Sequence, residues 1–346
     1  MWKLHILALL IGTIIDFIVG DPHWIWHPIK VIGNAISKCE GFLLRDSNYY
    51  DKNNLSKNRA NKAAFKEEKM LSATQKRRRG LALVFIISGC TFLIMLVLTS
   101  LCYWINPYLG VAFEAIASCY CLAGKSLYKE SKKVVEDYRV GGIKDARYAL
   151  SMIVGRDREQ LDLEEVLKAT IETIAENSSD GVIAPFFYLF LFGPIGGMTY
   201  KAINTMDSMV GYHNEKYEDF GRCAARLDDV ANFIPSRLSG MLAIFVAFVY
   251  IFDFSGKNAL HIFLRDRLNH KSPNSAQSEA AFAGALGLKL GGGASYFGQF
   301  VSKPTIGDKK KAIEISDVAR AHKLLLGMVL ICQVMLVALL IICVIK

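Results

Sequence analysis

Two long apolar segments constrain the fold of this chain more than any other feature. Residues 81–105 carry no charged side chain in 25 positions, and residues 324–345 carry one strongly polar side chain, Gln333, in 22 positions. At a rise of about 1.5 Å per residue, either segment is long enough as a helix to cross a hydrocarbon core of about 30 Å. Helices buried in water-soluble proteins are rarely so long and so free of charge. The two segments therefore predict an integral membrane protein.

Three shorter apolar segments, residues 4–19, 108–123 and 238–252, add candidate membrane helices. The first carries Asp16 and the second carries Glu114. Because a carboxylate exposed to lipid is costly, we expect both side chains to face protein or water. The first segment is interpreted as a retained helix rather than a cleaved signal, since Asp16 interrupts it and no small-residue cleavage site follows.

Residues 182–200 are apolar but contain two breaks, Gly193-Pro194 and Gly196-Gly197. Glycine and proline weaken a helix interior, and a broken helix at membrane depth is typical of re-entrant elements. We expect this segment to enter the membrane, turn at Gly193-Pro194 and return to the side from which it came. The polar residues 201–237 that follow would then stay in the cytoplasm.

The net charge of +9 is concentrated between the apolar segments. Residues 45–79 hold 11 Lys/Arg against 4 Asp/Glu and end directly before an apolar segment with Lys76-Arg77-Arg78-Arg79. Cytoplasmic loops of membrane proteins carry such an excess, so we place this loop in the cytoplasm. Nucleic-acid binding is not predicted, because no recognition motif accompanies the charge. We expect membrane lipid to surround the apolar segments of the protein.

The pattern as a whole predicts an all-α, polytopic integral membrane helical protein with cytoplasmic helical segments. Few strand signals occur. We expect the protein to be a multi-pass protein of the cell membrane, that is, the inner or plasma membrane. A single domain, residues 1–346, is divided into a first span (1–44), a basic cytoplasmic loop (45–79), two spans (80–123), a region of polar motifs and short apolar segments (124–323) and a last span (324–346).

Oxygen-bearing side chains recur at helical spacing in two places. Glu172, Glu176 and Asp180 are four residues apart and share one edge of a helix if that helix persists. Asn204 and Asp207 share a face with Lys201. Carboxylates and amides stacked in this way suit Mg²⁺, a hard cation that takes oxygen ligands and often bridges to phosphates. The alternative for Glu172 is a solvated helix face, and it stays open.

Two further clusters of polar residues have simpler alternatives. Arg226, Asp228 and Asp229 lie in a segment where pairing between arginine and aspartate explains much of the pattern without a ligand. Lys125 belongs to Gly124-Lys125-Ser126, which ends like a phosphate-binding loop. The glycine required five residues before that Gly-Lys pair is replaced by Cys119, so the loop assignment fails and Lys125 at a helix end has a snorkelling role as its alternative.

A series of motifs resembles the CobD/CbiB family, the adenosylcobinamide-phosphate synthases. The motifs are Gly20-Asp21-Pro22, His27-Pro28, residues 149–157, residues 172–177, Asp180-Gly181, residues 201–212, residues 225–232 and Ser272-Pro273-Asn274. Their number and order cover most of the chain outside residues 41–105 and the last span. Gly124 stands where the family is expected to have serine, Gln277 stands where an aromatic residue is expected, and the loop 45–79 looks longer than usual.

The resemblance implies an acid–amine ligase that joins cobyric acid or its adenosyl form to aminopropanol or its phosphate. A new amide forms on one corrin propionate, and ATP with Mg²⁺ is the implied means of activating the carboxylate. It implies three groups of residues: catalytic Asp207, Asp228, Asp229, His27 and His270; phosphate- or substrate-binding Lys125, Arg156, Lys201, Arg226, Ser272 and Asn274; and metal-binding Glu172, Glu176, Asp180, Asn204 and Asp207.

Two other functions stay open at this point. A Mg²⁺-dependent membrane prenyltransferase also arrays Asn and Asp at helical spacing, and Asn204-x-x-Asp207 is weakly similar to that arrangement. A transporter with intramembrane charges is the third possibility. The fate of cobyric acid separates the three, because only the ligase converts it. The pattern leaves open whether the chain forms a homo-oligomer or associates with other corrinoid-assembly enzymes.

Overall fold

A computed structural model describes residues 2–20, 27–45, 71–212, 214–296 and 299–345. Asp21 and Pro22 of the first motif and most of the basic loop lie outside these residues. In chain order the elements are α1 (Trp2–Ile18), α2 (Pro28–Leu43), α3 (Ala73–Ile105), α4 (Pro107–Cys121), α5 (Gly124–Gly141), α6 (Ile143–Leu150), α7 (Leu163–Ser178), a π-helical turn (Ser179–Ile183), α8 (Ala184–Val210), α9 (Arg222–Ala231), α10 (Phe233–Val249), α11 (Gly256–Asp266), α12 (Ser275–Leu286), β1 (Leu290–Gly291), β2 (Ala294–Tyr296), β3 (Gln299–Val301), β4 (Thr305–Ile306) and α13 (Ile315–Ile345).

The prediction of an all-α membrane protein is confirmed. Among the described residues, four helical stretches are long and apolar enough to cross a membrane by length and composition, and the bent pair α9–α10 makes a fifth if it counts as one span. The four stretches are Ala73–Ile105, Pro107–Gly141, Leu163–Val210 and Ile315–Ile345. Four short strands, which the sequence did not indicate, form two small antiparallel pairs, β1 with β4 and β2 with β3.

The two carboxylates predicted to avoid lipid are both buried in protein. Asp16 is 4% exposed and Glu114 is 3% exposed. Helix α1 packs closely along α4, since a Cβ on Gly12 would come within 2.6 Å of the Ala115 carbonyl oxygen. Glu114 accepts a hydrogen bond from the Tyr103 hydroxyl and pairs with His5 of α1. Glu114 therefore finds its polar partners within the protein, away from the lipid.

The end of the predicted basic loop is helical rather than irregular. Ser72 caps α3, and its side chain and that of Gln75 form a reciprocal capping box. Arg77 on the first turns of α3 forms an ion pair with Asp219 at 2.8 Å. Lys216 likewise pairs with the buried Glu40 of α2. Arg77 thus ties the segment between α8 and α9 to α3, and Lys216 ties the same segment to α2.

The chain reverses direction inside α8, as predicted from the break at Gly193-Pro194. Gly193 has φ 60° and ψ −156°, which no residue inside a helix adopts. The rings of Tyr188 and Tyr200 stack with centroids 5.1 Å apart, and the Tyr200 hydroxyl donates to the Asp180 carbonyl oxygen at 3.1 Å. Residues twelve and twenty positions apart cannot meet in this way along a continuous helix, which rises about 1.5 Å per residue.

The two arms of α8 therefore form a hairpin with its tip at Gly193. The first arm, residues 184–192, is about 13 Å long at 1.5 Å per residue, less than half of a hydrocarbon core of about 30 Å. The tip lies against the polar pair of α1 and α4, because a Cβ on Gly193 would be 3.2 Å from Glu114 Oε1 and His5 Nε2 is 3.0 Å from the Phe190 carbonyl oxygen. Both ends of the hairpin return to the same end of the molecule.

Helix α12 lies in the centre of the main hydrophobic core. Every residue of α12 from Ala276 to Leu286 is buried. Its small side chains permit close approach, since a Cβ on Gly284 would come within 2.7 Å of the Ala259 Cα in α11. The helix begins at Ser275. Its amino-terminal half faces the carboxyl-terminal half of α7 and carries polar residues into the interior.

Candidate active site

Carboxylates from four elements, α7, the π-helical turn, α8 and α9, gather where the α8 hairpin returns. Asp228 on α9 is buried and accepts hydrogen bonds from Asn204 Nδ2 at 3.2 Å and from Asn232 Nδ2 at 2.9 Å. Asp180 lies close enough to Asp228, Glu176 and Asp207 for electrostatic interaction. We call Glu176, Asp180, Asn204, Asp207 and Asp228 the acidic cluster. Four of its members are metal ligands predicted from the sequence, and the fifth is a predicted catalytic residue.

The π-helical turn decides where Asp180 lies. The predicted edge of three carboxylates required α7 to continue through residue 180, but α7 ends at Ser178 and a π-helical turn follows. A π-helical turn bonds i to i+5 and rotates the following residues relative to an α-helix. The condition for one continuous edge, an α-helix that runs through residue 180, is therefore not met, although Glu176 and Asp180 still come together with residues of α8 and α9.

A cavity of about 240 Å³ adjoins the acidic cluster at Glu176. Its wall combines carboxylates with cationic side chains, an imidazole and backbone of the short strands. The lining side chains that bear charge or an imidazole are Arg156, Glu172, Glu176, His270, Glu279 and Lys303. Arg156 comes from the turn after α6, Glu172 and Glu176 from α7, and Glu279 from α12, so the cavity exists only after these elements pack together.

Glu172 is held by two partners in the protein. Its Oε2 pairs with Arg156 Nη2 at 2.5 Å, and its Oε1 accepts the backbone N–H of Gly291 at 2.8 Å. Gly291 has φ 71°, and a Cβ there would come within 2.4 Å of the Pro304 carbonyl oxygen, so the turn requires glycine. These bonds fix Arg156 and the strand β1 relative to Glu172, and its predicted metal binding stays a prediction. The alternative of a solvated helix face is excluded, since Glu172 is buried.

His270 lines the cavity and is held by its own loop. Its Nδ1 accepts the backbone N–H of Ser272 at 3.1 Å. Burial and the positive charge of Lys303 lower the pKa of His270 below its usual range. A neutral imidazole that accepts at Nδ1 carries its proton on Nε2, so in this form His270 donates a hydrogen bond rather than accepting a proton. The predicted role as a proton acceptor needs a different tautomer from the one that this hydrogen bond favours.

Ser272 and Asn274 contact Asp229 rather than an open surface. Ser272 Oγ donates to Asp229 Oδ1 at 2.9 Å, and Asn274 Nδ2 donates to the Asp229 carbonyl oxygen at 2.9 Å. Asn274 in turn accepts from Ser236 at 3.2 Å. Gln277, which departs from the expected aromatic residue, donates to the carbonyl oxygens of Arg267 and Pro273 and closes the same loop. These contacts give Ser272 and Asn274 a positioning role, and their predicted phosphate contacts stay a prediction.

The remaining predicted residues have varied surroundings. Lys201 is half-buried one turn before Asn204 on the second arm of α8. The predicted catalytic His27 accepts the Ile29 backbone N–H as the cap of α2, and its ring lies edge-on to Tyr120 at 5.0 Å. The ammonium of Lys125 lies 5.8 Å from the centre of the Phe17 ring.

Arg226, predicted to bind phosphate, is exposed on α9. The structure thus brings most of the predicted site together, but it places His27 and Lys125 against helices α4 and α1. Their predicted roles in catalysis and phosphate binding stay predictions.

Two charged residues of the cavity wall were absent from the predicted site. Glu279 follows the Ser272-Pro273-Asn274 motif by five residues, and this proximity was the available signal. Lys303 lies between β3 and β4, in a segment without any motif. The pairing of β4 with β1, which lies next to α7, places Lys303 in the cavity wall.

The acidic cluster would suit a magnesium ion only if a bound ligand, such as a substrate phosphate, supplied further oxygen atoms. Among the described residues, no three histidine, cysteine, aspartate or glutamate side chains converge as a metal site. Mg²⁺ usually binds one or two carboxylates together with waters and substrate phosphates. Asp180 and Asp228 supply that donor set, since both are carboxylates within electrostatic reach of each other.

Sequence comparisons agree with the motifs. The family model described as CobD/Cbib protein matches residues 9–325. The chain is 43% identical over 340 residues to "Cobalamin biosynthesis protein CobD" of Clostridium perfringens, covering 98% of this chain and 99% of that protein. It is 40% identical over 321 residues to "Cobalamin biosynthesis protein CbiB" of Salmonella typhimurium, covering 92% of each.

A third relative, "Cobalamin biosynthesis protein CobD" of Geobacter metallireducens, is 39% identical over 320 residues and 92% of each chain. No solved structure matches this chain significantly. A match of this extent includes the carboxylate motifs of α7, α8 and α9 that form the acidic cluster. The chain therefore belongs to the CobD/CbiB family.

Proposed function

We propose that this chain acts in cobalamin biosynthesis as the ligase that joins a corrin propionate of cobyric acid to aminopropanol or its phosphate. The family membership supports the pathway, since the relatives are named cobalamin biosynthesis proteins. The reaction needs an activated carboxylate, because a carboxylate does not condense with an amine in water. ATP and Mg²⁺ are the proposed means of activation.

The observation that carries the proposal is the acidic cluster beside a cavity with cationic side chains. Asp180 and Asp228 would hold Mg²⁺, and the ion would neutralise the charge of bound phosphate oxygens. Asn204 and Asn232 donate to the two oxygens of Asp228 and fix the orientation of its carboxylate. Arg156 and Lys303 add positive charge to the adjoining cavity, which suits an anionic group of a substrate.

We place this site on the cytoplasmic side of the cell membrane. The basic residues in the first turns of α3 support the orientation, since positive charge accumulates on cytoplasmic ends of spans. Arg77 on that basic turn pairs with Asp219, in the segment that joins α8 to α9. Both arms of the α8 hairpin open toward the same end, where cytoplasmic ATP would reach Asp207 and Asp228.

A detergent-purified assay tests the function. The protein is incubated with cobyric acid, ATP, Mg²⁺ and either amine, and the corrinoid and nucleotide products are followed by chromatography and mass spectrometry. We expect a cobinamide-type product whose formation depends on ATP and on the amine. Unchanged cobyric acid under all conditions, with a folded protein, contradicts the ligase.

Variants at the acidic cluster connect the assay to the site. Asp228→Asn keeps the shape of the side chain and removes the charge, and Asp207→Ala removes the whole carboxylate. We expect at least about a hundredfold loss of product formation in both, or about 2.7 kcal/mol in barrier. Asp145→Asn, on α6 outside the cluster, is the control and should retain wild-type activity. Activity within about threefold of wild type for either cluster variant would remove that residue from the catalytic set.

A further inference from the structure

Glu279 is a buried carboxylate that has no hydrogen-bonding partner within the part of the chain that the structure describes. It is 6% exposed, lies on the fully buried helix α12 and lines the cavity. Among the described residues, no hydrogen bond or ion pair reaches its carboxylate. The other two carboxylates of the cavity wall do have partners, since Glu172 pairs with Arg156 and Glu176 accepts from Ser275 Oγ at 3.2 Å. A buried ionised group without a partner is costly, so a ligand is the natural source of one.

The electrostatic surroundings of Glu279 favour a cationic ligand. Burial, followed by the negative charges of Glu176 and Glu172, raises the pKa of Glu279 well above its usual range. Lys303 and Arg156 act in the opposite direction but do not cancel these effects. A cation placed between Glu279 and Glu176 would relieve both the desolvation and the repulsion between the carboxylates.

The size and the mixed charge of the cavity limit the ligand further. At about 240 Å³ it lies below the range of about 300–1,000 Å³ that is typical of drug-sized ligand sites, so a corrin macrocycle does not fit. Lys303 places a positive charge in the same small space as Glu279. The cavity therefore matches a short molecule that carries an ammonium and an anionic group a few bonds apart.

We propose that this cavity binds the amine substrate of the ligase, with the ammonium on Glu279 and Glu176 and the anionic group on the side of Lys303 and Arg156. The inference rests on the proposed function and assigns the place and the residues that hold its amine. Glu279 is then the residue that distinguishes an amine from an amine-free compound of the same shape. Lys303 is the residue that contributes affinity for the anionic group, whether or not the amine is present.

Binding measurements without ATP or corrinoid test the assignment independently of the reaction. The full-length protein in detergent is titrated calorimetrically with aminopropanol phosphate and with isopropyl phosphate, which lacks the amine. We expect the wild type to bind the amine at least about tenfold more tightly, as one charge-assisted hydrogen bond allows. Glu279→Gln should abolish this preference. Lys303→Met should weaken both ligands and keep the preference, whereas Glu136→Gln, an exposed residue on α5, should change neither.

A second measurement on the wild type covers the case in which Glu279→Gln fails to fold. An apolar carbodiimide modifies buried, protonated carboxyl groups, and mass spectrometry locates the adduct. We expect modification of Glu279 that aminopropanol phosphate blocks and isopropyl phosphate does not. A folded Glu279→Gln protein that keeps the full preference, or equal protection by both compounds, would overturn the assignment. Failure of the wild type to bind either compound would also overturn it.

The two proposals can fail separately. If no corrinoid product forms but the amine preference depends on Glu279, the cavity assignment stands and the ligase falls. If the ligase is active and the preference survives in Glu279→Gln, the amine binds elsewhere and the ligase stands.

Discussion

Replacing Ser272 by alanine separates two roles for this residue, phosphate binding and positioning of Asp229. In the structure the Ser272 hydroxyl donates to Asp229 Oδ1 at 2.9 Å and also accepts the Asn274 backbone N–H at 3.3 Å. Asp229 is half-buried at the junction of α9 with the loop that carries His270. The substitution removes one hydroxyl and leaves the backbone of the loop intact.

The expected magnitude follows from the lost hydrogen bond. A hydrogen bond to a charged group contributes about 1.5–3 kcal/mol. Asp229 is partly accessible to water, and Asn274 Nδ2 also reaches Asp229 Oδ1 at 3.4 Å. We therefore take the lower end, about 1.5 kcal/mol, which corresponds to roughly a tenfold decrease in rate if the orientation of Asp229 matters in the transition state.

Steady-state kinetics distinguish the two roles. A positioning role predicts that kcat falls about tenfold while KM for aminopropanol phosphate stays within about twofold of wild type. A phosphate-binding role predicts the reverse, an increase in KM for the phosphorylated amine with a nearly unchanged kcat. The assay uses saturating ATP and cobyric acid and varies the amine.

Ser316→Ala is the matched control. Ser316 is exposed at the start of α13, and its hydroxyl donates to Glu314 Oε2 at 3.3 Å, so the same type of bond is removed outside the site. We expect wild-type kinetics for this variant. A wild-type kcat in folded Ser272→Ala protein would refute the positioning argument.

Three further predictions concern the scaffold. Replacing residues 46–70 by a short Gly/Ser linker should preserve activity, because the replacement keeps Ser72, the cap of α3. A variant that inserts into the membrane but is inactive in the ligase assay would show that the loop is needed for activity. Asp266→Asn should lower stability by about 1–2 kcal/mol at pH 7, measured by thermal unfolding, since Asp266 accepts from Arg265 and from the Gly307 N–H. These bonds lower the pKa of Asp266, so the difference from wild type should be full above about pH 4 and disappear as the pH falls through the folded-state pKa; a constant difference would argue against it. A cysteine at Glu218, in a cysteine-free background, should react with an impermeant maleimide only after cells are permeabilised, and labelling of intact cells would place the loop outside.

Much of the membrane architecture could be predicted because it depends on local properties of the sequence. Length and absence of charge suffice to identify α3 and α13 as candidate spans. The break at Gly193-Pro194 was enough to predict the reversal, since glycine alone adopts the backbone angles found there. The burial of Asp16 and Glu114 followed from the cost of exposing a carboxylate to lipid.

The sequence predicted which residues belong to the candidate site better than it predicted their contacts with one another. Residues of α7, α8 and α9 that the motifs singled out do form the acidic cluster. Glu172 was assigned to the metal because helical spacing places it one turn from Glu176, and spacing says nothing about a partner in another element. The partner, Arg156, lies 16 positions away in a turn, and the second partner, Gly291, lies 119 positions away in a strand.

Hydrophobic runs and short motifs are properties of neighbouring residues, so they were enough to predict a helical membrane protein and its family. Which polar groups meet depends on the tertiary fold. A π-helical turn follows α7, although the residue spacing was equally compatible with a continued α-helix. Asp180 lies in this turn and is close to Asp228. The position of Glu279 in the cavity depends on the burial of α12 between α7, α10 and α11, and Lys303 reaches it through the pairing of β1 with β4. Such contacts arise from packing between segments that are distant in the sequence, so the pattern of neighbouring residues does not reveal them.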